Sequence, residues 1–401
     1  MIGPILGSGV VLLPPMAYGM LGGRSIWAWL VIMGLGALFA MIFAKLTVLH
    51  PGDGGMTNAI EASLGKKVKL YASILMISAV SFGPTAVMLT AAEYLNKLNI
   101  LNSVSKPIIA IVLVLLGMVA LMRDTKFIST LSFVLSSIIG VTFLASSIVV
   151  LMKNGIHIAP LNSLEPVLFG KTVLLLFWAI IGWEVMGNYS NQVRDINKTI
   201  PLATAISIIV ITTVYLVMSL AIQSFPYSET LSLVEVIKPI FGESAKWVLA
   251  LLVTSLCFCA YMLMLGALSR LINTLSVEGY LPSIFKKKNN DGVPVSGVMY
   301  FIIVHLLVLL MNLFGIIDIE RIINIANSFF LMNAVIGLIA AMRIIDSKFY
   351  KASSLVLAVS LLVILSFSSA DVLIALIVIY GVVILIERRQ RYMLESLKSL
   401  E

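Results

Sequence analysis

Residues 5–14 read Ile5-Leu6-Gly7-Ser8-Gly9-Val10-Val11-Leu12-Leu13-Pro14, two glycines and a serine set inside an otherwise apolar run. A second stretch, Phe177-Trp178-Ala179-Ile180-Ile181-Gly182-Trp183-Glu184, places a glycine and a carboxylate inside another such run. Where such runs lie in lipid, a broken helix frees backbone groups that no water can satisfy, so the break must line a cavity or be buried in protein. A Gly-x-Gly step by itself is compatible with a close helix–helix contact and nothing more. Glu184 argues for more, because a carboxylate at mid-membrane depth is costly unless it is paired or faces water.

Composition places both runs in lipid. Of 401 residues, 60% are hydrophobic and 11% charged, against roughly 45–50% and about 25% in soluble domains. A soluble chain of this length needs a charged coat, whereas lipid accepts exposed Leu, Ile, Val and Phe. A helix crosses the hydrocarbon in about 20 apolar residues. Runs of that kind fall at about 2–21, 26–49, 69–96, 107–122, 127–152, 167–191, 200–223, 244–275, 295–315, 319–343, 352–368 and 371–387. The expected fold is therefore an all-α polytopic membrane protein with 12 transmembrane helices. No cleavable signal pattern opens the chain, so the first run is expected to remain in the fold.

Lys and Arg gather on cytoplasmic loops. With the N-terminus inside, 19 of the 27 fall on the inner side and 8 on the outer. Both termini are thus predicted cytoplasmic, in a multi-pass plasma (inner) membrane protein. The net charge of +8 reads as topology and not as a nucleic-acid surface. The Lys286 to Lys288 cluster fits a topological anchor near anionic lipid, and residues 388–401 a short charged cytoplasmic tail.

The breaks offer a particular chemistry. Beyond Gly7-Ser8-Gly9 the second half of span 1 begins, and its first N–H groups lack intrahelical partners and carry the positive end of a helix dipole. They suit a carboxylate. Carbonyls left open at Ile5, Trp178 and Ile181, beside Gly182, suit an ammonium group. Together they fit the zwitterionic backbone of an α-amino acid. Spans 1 and 6 are corresponding positions if the chain is two five-helix repeats with two added helices, and interrupted segments so placed are the best sequence pointer to a transporter site.

Other polar residues have plainer readings. Glu93 is expected to reach the membrane interface, His305 to be a packed, hydrogen-bonded histidine, and Trp27 and Trp29 to belong to an interface belt. Cys257 and Cys259, as C-x-C in an apolar run, match no zinc or disulfide spacing and read as small buried hydrophobes. His50-Pro51-Gly52-Asp53-Gly54-Gly55 lacks the Lys-Ser/Thr of a phosphate loop. It reads as a cytoplasmic turn leading into a short helix near Glu61 that helps close the inner side. No cofactor or metal set is expected, and the separated His50, His157 and His305 offer no enzyme site.

At these residues the chain resembles the amino acid–polyamine–organocation superfamily of transporters. Gly7-Ser8-Gly9-Val10-Val11-Leu12-Leu13-Pro14 resembles its G-S-G-[IV]-F-x-L-P signature, with Val11 for the usual Phe. Phe177 to Glu184 resembles its F-W-x-F-x-G-x-E segment, and Arg194 to Ala203 its N-P-x-[KR]-x-[IV]-P-x-A stretch. Ser269-Arg270-Leu271 through Glu278-Gly279-Tyr280-Leu281-Pro282, then Val293-Pro294, resembles its S-R-x-x-x-x-x-A-x-D-G-x-x-P and P-V elements. Within the superfamily the chain looks most like bacterial exporters of methionine and branched-chain amino acids.

The resemblance implies a LeuT-like five-plus-five inverted repeat, about 1–152 and 165–345, with added helices at about 352–387, working by alternating access. It implies that a substrate carboxylate meets Ser8 and Gly9 and the amino group meets the carbonyls of Ile5, Trp178 and Ile181. Trp178 would wall the pocket, with Ser81, Phe82, Tyr261 and Met264, and Glu184 would gate it or sense protons. With no second acid among these walls, the natural guest is a neutral, apolar amino acid, with H+ as a candidate coupling ion. There are two departures. Only six residues precede Gly7, about 9 Å of helix against about 15 Å for half a bilayer core, so the first half-helix is expected to be short. Span 5 lacks the lysine that couples some relatives to protons. Proton-coupled uptake and an amino-acid-sensing receptor remain the alternative functions.

Overall fold

The computed structural model describes the chain except for residues 1–6, 8, 53–54, 97, 99–103, 123–124, 161–164, 185–186, 188–189, 191–192, 226–232, 291 and 399–401. Among the described residues fourteen α-helices run in order: α1 Gly9–Leu21, α2 Ser25–Leu49, α3 Met56–Leu64, α4 Lys66–Asn96, α5 Lys106–Leu121, α6 Thr125–Asn154, α7 Pro166–Leu176, α8 Ile196–Gln223, α9 Leu233–Phe241, α10 Ala245–Val277, α11 Val295–Leu313, α12 Ile319–Ile344, α13 Lys348–Leu365 and α14 Ala370–Lys398. Among the described residues there is no strand.

Nine helical stretches among the described residues are long and apolar enough to cross a membrane. One of them, Gly9–Leu49, holds both α1 and α2, joined by a 3-10 turn at Gly22–Arg24. Two further apolar helical segments, Lys106–Leu121 and Pro166–Ile180, are shorter. Large apolar side chains stand outward on the outer helices, with Val119, Val141, Leu251 and Ile377 each at least 60% exposed. Only lipid makes that arrangement inexpensive, since helices satisfy their own backbone and need no polar coat.

The centre is set by α4 and α12, whose most apolar windows are 83% and 78% buried, against 17% for α14. The two pack against each other, and α10 packs on α4. Close approaches need small residues. A Cβ built on Gly337 of α12 would stand 2.8 Å from Phe43 of α2, and one on Gly36 of α2 would stand 2.5 Å from Ile180.

Trp29 corrects the interface-belt expectation. It is fully buried and stacks on Tyr215 of α8, with ring centroids 4.7 Å apart. Trp27 stays half-buried, its Nε1 donating to the Ala159 carbonyl at 3.0 Å. Two residues apart on a helix face nearly opposite ways, so the pair cannot share one environment. Span 6 carries the interruption expected near Gly182. The helix is interrupted after Ile180, where Ile181 is extended and Gly182 takes φ 115°, and Gly187 and Ser190 are again in 3-10 conformation.

His305 is fully buried, with its Nε2 2.8 Å from the Val80 carbonyl and its Nδ1 3.0 Å from the Tyr261 hydroxyl. A carbonyl only accepts, so Nε2 carries the proton and Nδ1 accepts from Tyr261. Both ring nitrogens are used, as in a packed structural histidine. Both cysteines are buried and unbridged, and Glu93 pairs with Lys106 at 3.7 Å.

Candidate functional site

The start of α1 meets the break after α7. Gly7 lies in a buried turn at φ 22°, and among the described residues α1 begins at Gly9; the first amides of a helix lack intrahelical acceptors. Ile5 and Ser8 lie outside the described residues. A Cβ on Gly9 would stand 3.4 Å from Cδ1 of Trp178, which brings the indole of span 6 against the start of α1. Trp178 sits in the 3-10 turn Phe177–Ile180 that ends α7, and is 6% exposed.

The far edge of the same indole rests on α4. A Cβ on Gly83 would lie 2.8 Å from its Cη2 and 3.5 Å from the Ala326 methyl of α12. Phe82, beside Gly83, is half-buried and its ring lies 6.5 Å from that of Phe329 on α12. The site thus gathers α1, the α7 break, α4 and α12 around Trp178. The described groups that touch there, Gly9, Gly83, Ala326 and the Tyr215 hydroxyl, are uncharged.

Glu184 is 5% exposed, and its Oε2 accepts from the Gly182 amide at 3.2 Å. The carboxylate therefore folds back on the backbone of the break itself. That bond offsets part of the cost of burial.

Three wall residues expected from the sequence are placed elsewhere or otherwise engaged. Ser81 donates to the Ile77 carbonyl of its own helix at 2.8 Å, with Tyr300 Oη 3.5 Å away. The Tyr261 hydroxyl is committed to His305, and its ring lies 3.1 Å from where a Cβ on Gly117 of α5 would stand. Met264 is half-buried against the core. Neither Tyr261 nor Met264 is brought to Trp178 by a described contact. Gly83, Ala326 and Tyr215 were not singled out from sequence. The signal for the first was the Gly83-Pro84 step in the middle of an apolar run.

The side of the molecule where α2 ends is tied shut. The Gly52 amide donates to Ser190 Oγ at 2.8 Å, and Gly187 leaves room for the Gly55 backbone, since a Cβ there would stand 2.9 Å from it. This seats Gly52 and Gly55 on the chain that follows the break after α7. The expected short helix near Glu61 is α3, and Lys69, 5% exposed, donates to Glu61 at 2.6 Å and to Glu278 at the end of α10 at 2.7 Å. Arg343 holds the Ser63 carbonyl at 3.0 Å. Lys69 is therefore a bridge between helices, beyond its count as a loop charge. An open surface cavity of about 500 Å3 lies at the opposite ends, near Leu174 and Asn324. Arg321 on its lining pairs with Asp371, and both are half exposed to solvent, so the chemistry around the buried Trp178 is the better guide to function.

Comparison with known proteins agrees with this architecture. Residues 1–390 match the amino acid permease family model. The chain is 22% identical to the L-methionine/branched-chain amino acid exporter YjeH of Escherichia coli, over 96% of this chain and 93% of that one. It is 24% identical to the uncharacterized amino acid permease YecA of Bacillus subtilis, over 71% and 69% of the two chains. It is 25% identical to a cadaverine/lysine antiporter of E. coli, over 74% and 69%. A multi-pass, all-helical chain matched along almost its whole length in this way is a transport protein and not an enzyme, and it belongs to the amino acid permease family.

Proposed function

We propose that the chain is a secondary active transporter of neutral, apolar L-amino acids such as methionine, leucine, isoleucine and valine, working by export or exchange. The observation that carries this reading is the meeting of the start of α1, at Gly9, with the helix break at Trp178. An unpaired helix start faces an indole wall there, and the groups in contact are uncharged. A carboxylate is favoured at such a helix start by roughly 0.3–1 kcal/mol for exposed sites and more when buried. An apolar side chain gains about 25 cal/mol for each Å2 it buries against Trp178 and Phe82. The exporter-like reading draws support from YjeH, whose alignment spans nearly both chains.

In this proposal twelve spans form a five-plus-five inverted repeat with two added helices, both termini cytoplasmic. Ile5, Gly7, Ser8, Gly9, Trp178, Ile181 and Gly182 hold the backbone of the substrate. The Lys69 bridge and the 50–55 loop then close the inner side while the site opens outward. Counterflow in proteoliposomes tests the reading: labelled methionine should accumulate when unlabelled methionine or leucine is inside. Accumulation driven only by lysine or cadaverine inside would replace it with cationic exchange.

Glu184 favours one second reading, proton-coupled uptake. A buried carboxylate bonded to the break is placed to link its protonation to the shape of the site. Methionine uptake driven by a pH gradient alone, and lost in Glu184→Gln, would establish it.

A further inference from the structure

Between Val277, the last residue of α10, and Val295, the first of α11, the chain carries Ser283-Ile284-Phe285-Lys286-Lys287-Lys288, of which Ser283–Lys286 is a 3-10 turn. All three lysines are exposed, and none pairs with an acid among the described residues. Ile284 beside them is 60% exposed, and Val277 at the end of the span 64%. The base on which these side chains stand is nonetheless fixed. Asn273 Nδ2 donates to the Phe285 carbonyl at 2.8 Å, Ser276 Oγ to the Pro282 carbonyl at 2.7 Å, and Asn289 Nδ2 to the Met122 carbonyl just after α5 at 3.2 Å. The ring of Phe285 packs edge-on against Tyr300 of α11, with centroids 6.3 Å apart. A rigid turn that presents three unpaired cations and an apolar side chain together is arranged before its partner arrives, which spares the entropy of ordering it later.

We propose that residues 283–288 are a docking surface for anionic phospholipid headgroups, and that seating them steadies the end of α10 where Glu278 meets Lys69. The partner follows from place and sign. α10 and α11 are long and apolar enough to cross the membrane and turn Leu251 and Ile303 outward. The turn between them therefore lies at the bilayer surface, with phosphate groups inside the ~8 Å over which exposed charges act at physiological salt. A basic cluster with an apolar residue beside it supplies the two signals that membrane anchoring needs, whereas a soluble polyanion would use the lysines alone. Each Lys near an anionic surface strengthens binding about fivefold, so three act on the order of a hundredfold. The link to the bridge is short. Glu278 accepts from Lys69 at 2.7 Å, and the Tyr280 and Leu281 amides both donate to the Leu275 carbonyl, at 2.9 and 3.3 Å, so the chain from bridge to turn has little slack.

The test titrates the full chain in detergent with phosphatidylglycerol or phosphatidylcholine and follows thermal melting, wild type beside the triple variant Lys286→Gln, Lys287→Gln, Lys288→Gln. Phosphatidylglycerol should raise the wild-type melting temperature where phosphatidylcholine does not, and less so in high salt. The triple variant should melt as wild type does without lipid and need about tenfold more phosphatidylglycerol, or above, for the same shift. Ile284→Ser, which keeps every charge, should need several times more, and it carries the comparison if the triple variant is unstable on its own. In vesicles, spin labels at Ala62 and Val277 should give a narrower distance distribution with phosphatidylglycerol than with phosphatidylcholine alone, in wild type and not in the triple variant. Equal stabilisation of wild type and both variants by phosphatidylglycerol overturns the proposal. So does glycerol phosphate or heparin that matches the lipid on wild type, since the surface would then serve a soluble anion. Distances in wild type that ignore the lipid overturn the link to the Lys69 bridge and with it the proposal as stated. Melting and distances need no substrate, so these outcomes are independent of the transport reading.

Discussion

A Cβ placed on Gly83 would stand 2.8 Å from Cη2 of Trp178, so the central helix α4 and the break after α7 are in direct contact through a residue without a side chain. The contact fixes where the indole can lie, and with it the floor of the candidate site.

Gly83→Ala should therefore push the indole and raise the KM for methionine in counterflow about tenfold, while Gly83→Val should abolish exchange. Trp178→Ala should remove competition by unlabelled methionine, since it deletes the wall itself. If Gly83→Ala exchanged methionine as wild type does, Trp178 would have to be free to move, and its role as a fixed wall would be lost.

Lys69 lies between Glu61 and Glu278 with its own side chain 7% exposed and theirs about a third exposed. Lys69→Met leaves two carboxylates facing each other on α3 and α10. Their partial exposure keeps the effect to about 1–2 kcal/mol, a shift of roughly 5- to 30-fold toward the state with α3 released. Spin labels at Ala62 and Val277, both exposed, should show a longer and broader distance distribution in Lys69→Met than in wild type. Identical distributions would mean that the bridge does not hold the inner side.

Glu184→Gln mimics the protonated carboxyl and removes its charge. If Glu184 gates the site by taking up a proton, the variant should hold at high pH the exchange rate that wild type shows at low pH, with its affinity for methionine little changed. Rates for the two proteins that coincide from about pH 5.5 to about 8.5 would remove Glu184 from the mechanism.

The break after Ile180 was legible in the sequence because its cause is local. Glycine in an apolar run, and a carboxylate beside it, announce a backbone that leaves the helix. The short helix near Glu61, Met56–Leu64, was legible for a similar reason, since the glycine-rich run His50 to Gly55 in the sequence separates it from the apolar run before it. Residues whose role depends on which face a helix turns inward were not. Tyr261 and Met264 lie on an apolar helix without a polar stripe to fix its rotation, and the Tyr261 hydroxyl is engaged by His305 instead of the site. Trp29 looked like a belt residue because tryptophans near a span end usually are. Only the packing of α2 on α8 reveals that it supports Tyr215. Sequence marks Lys69 as a loop cation, and its two carboxylate partners, 8 and 209 positions away, come together only in the folded chain.

His305 offers the complementary test, of a titratable residue inside the membrane that is read as structural. Its ring joins the Tyr261 hydroxyl to the Val80 carbonyl and so ties α10, α11 and α4 together. His305→Phe keeps a ring but strands both groups, at about 1–3 kcal/mol each, so thermal melting in detergent should fall by several degrees. Tyr261→Phe with His305→Phe removes one of the stranded groups and should recover part of the loss, a coupling that a double-mutant cycle reads directly. The pH dependence of counterflow should be that of wild type in the single and double variants alike. A changed pH profile with an unchanged melting temperature would reverse the assignment and make His305 part of a proton path.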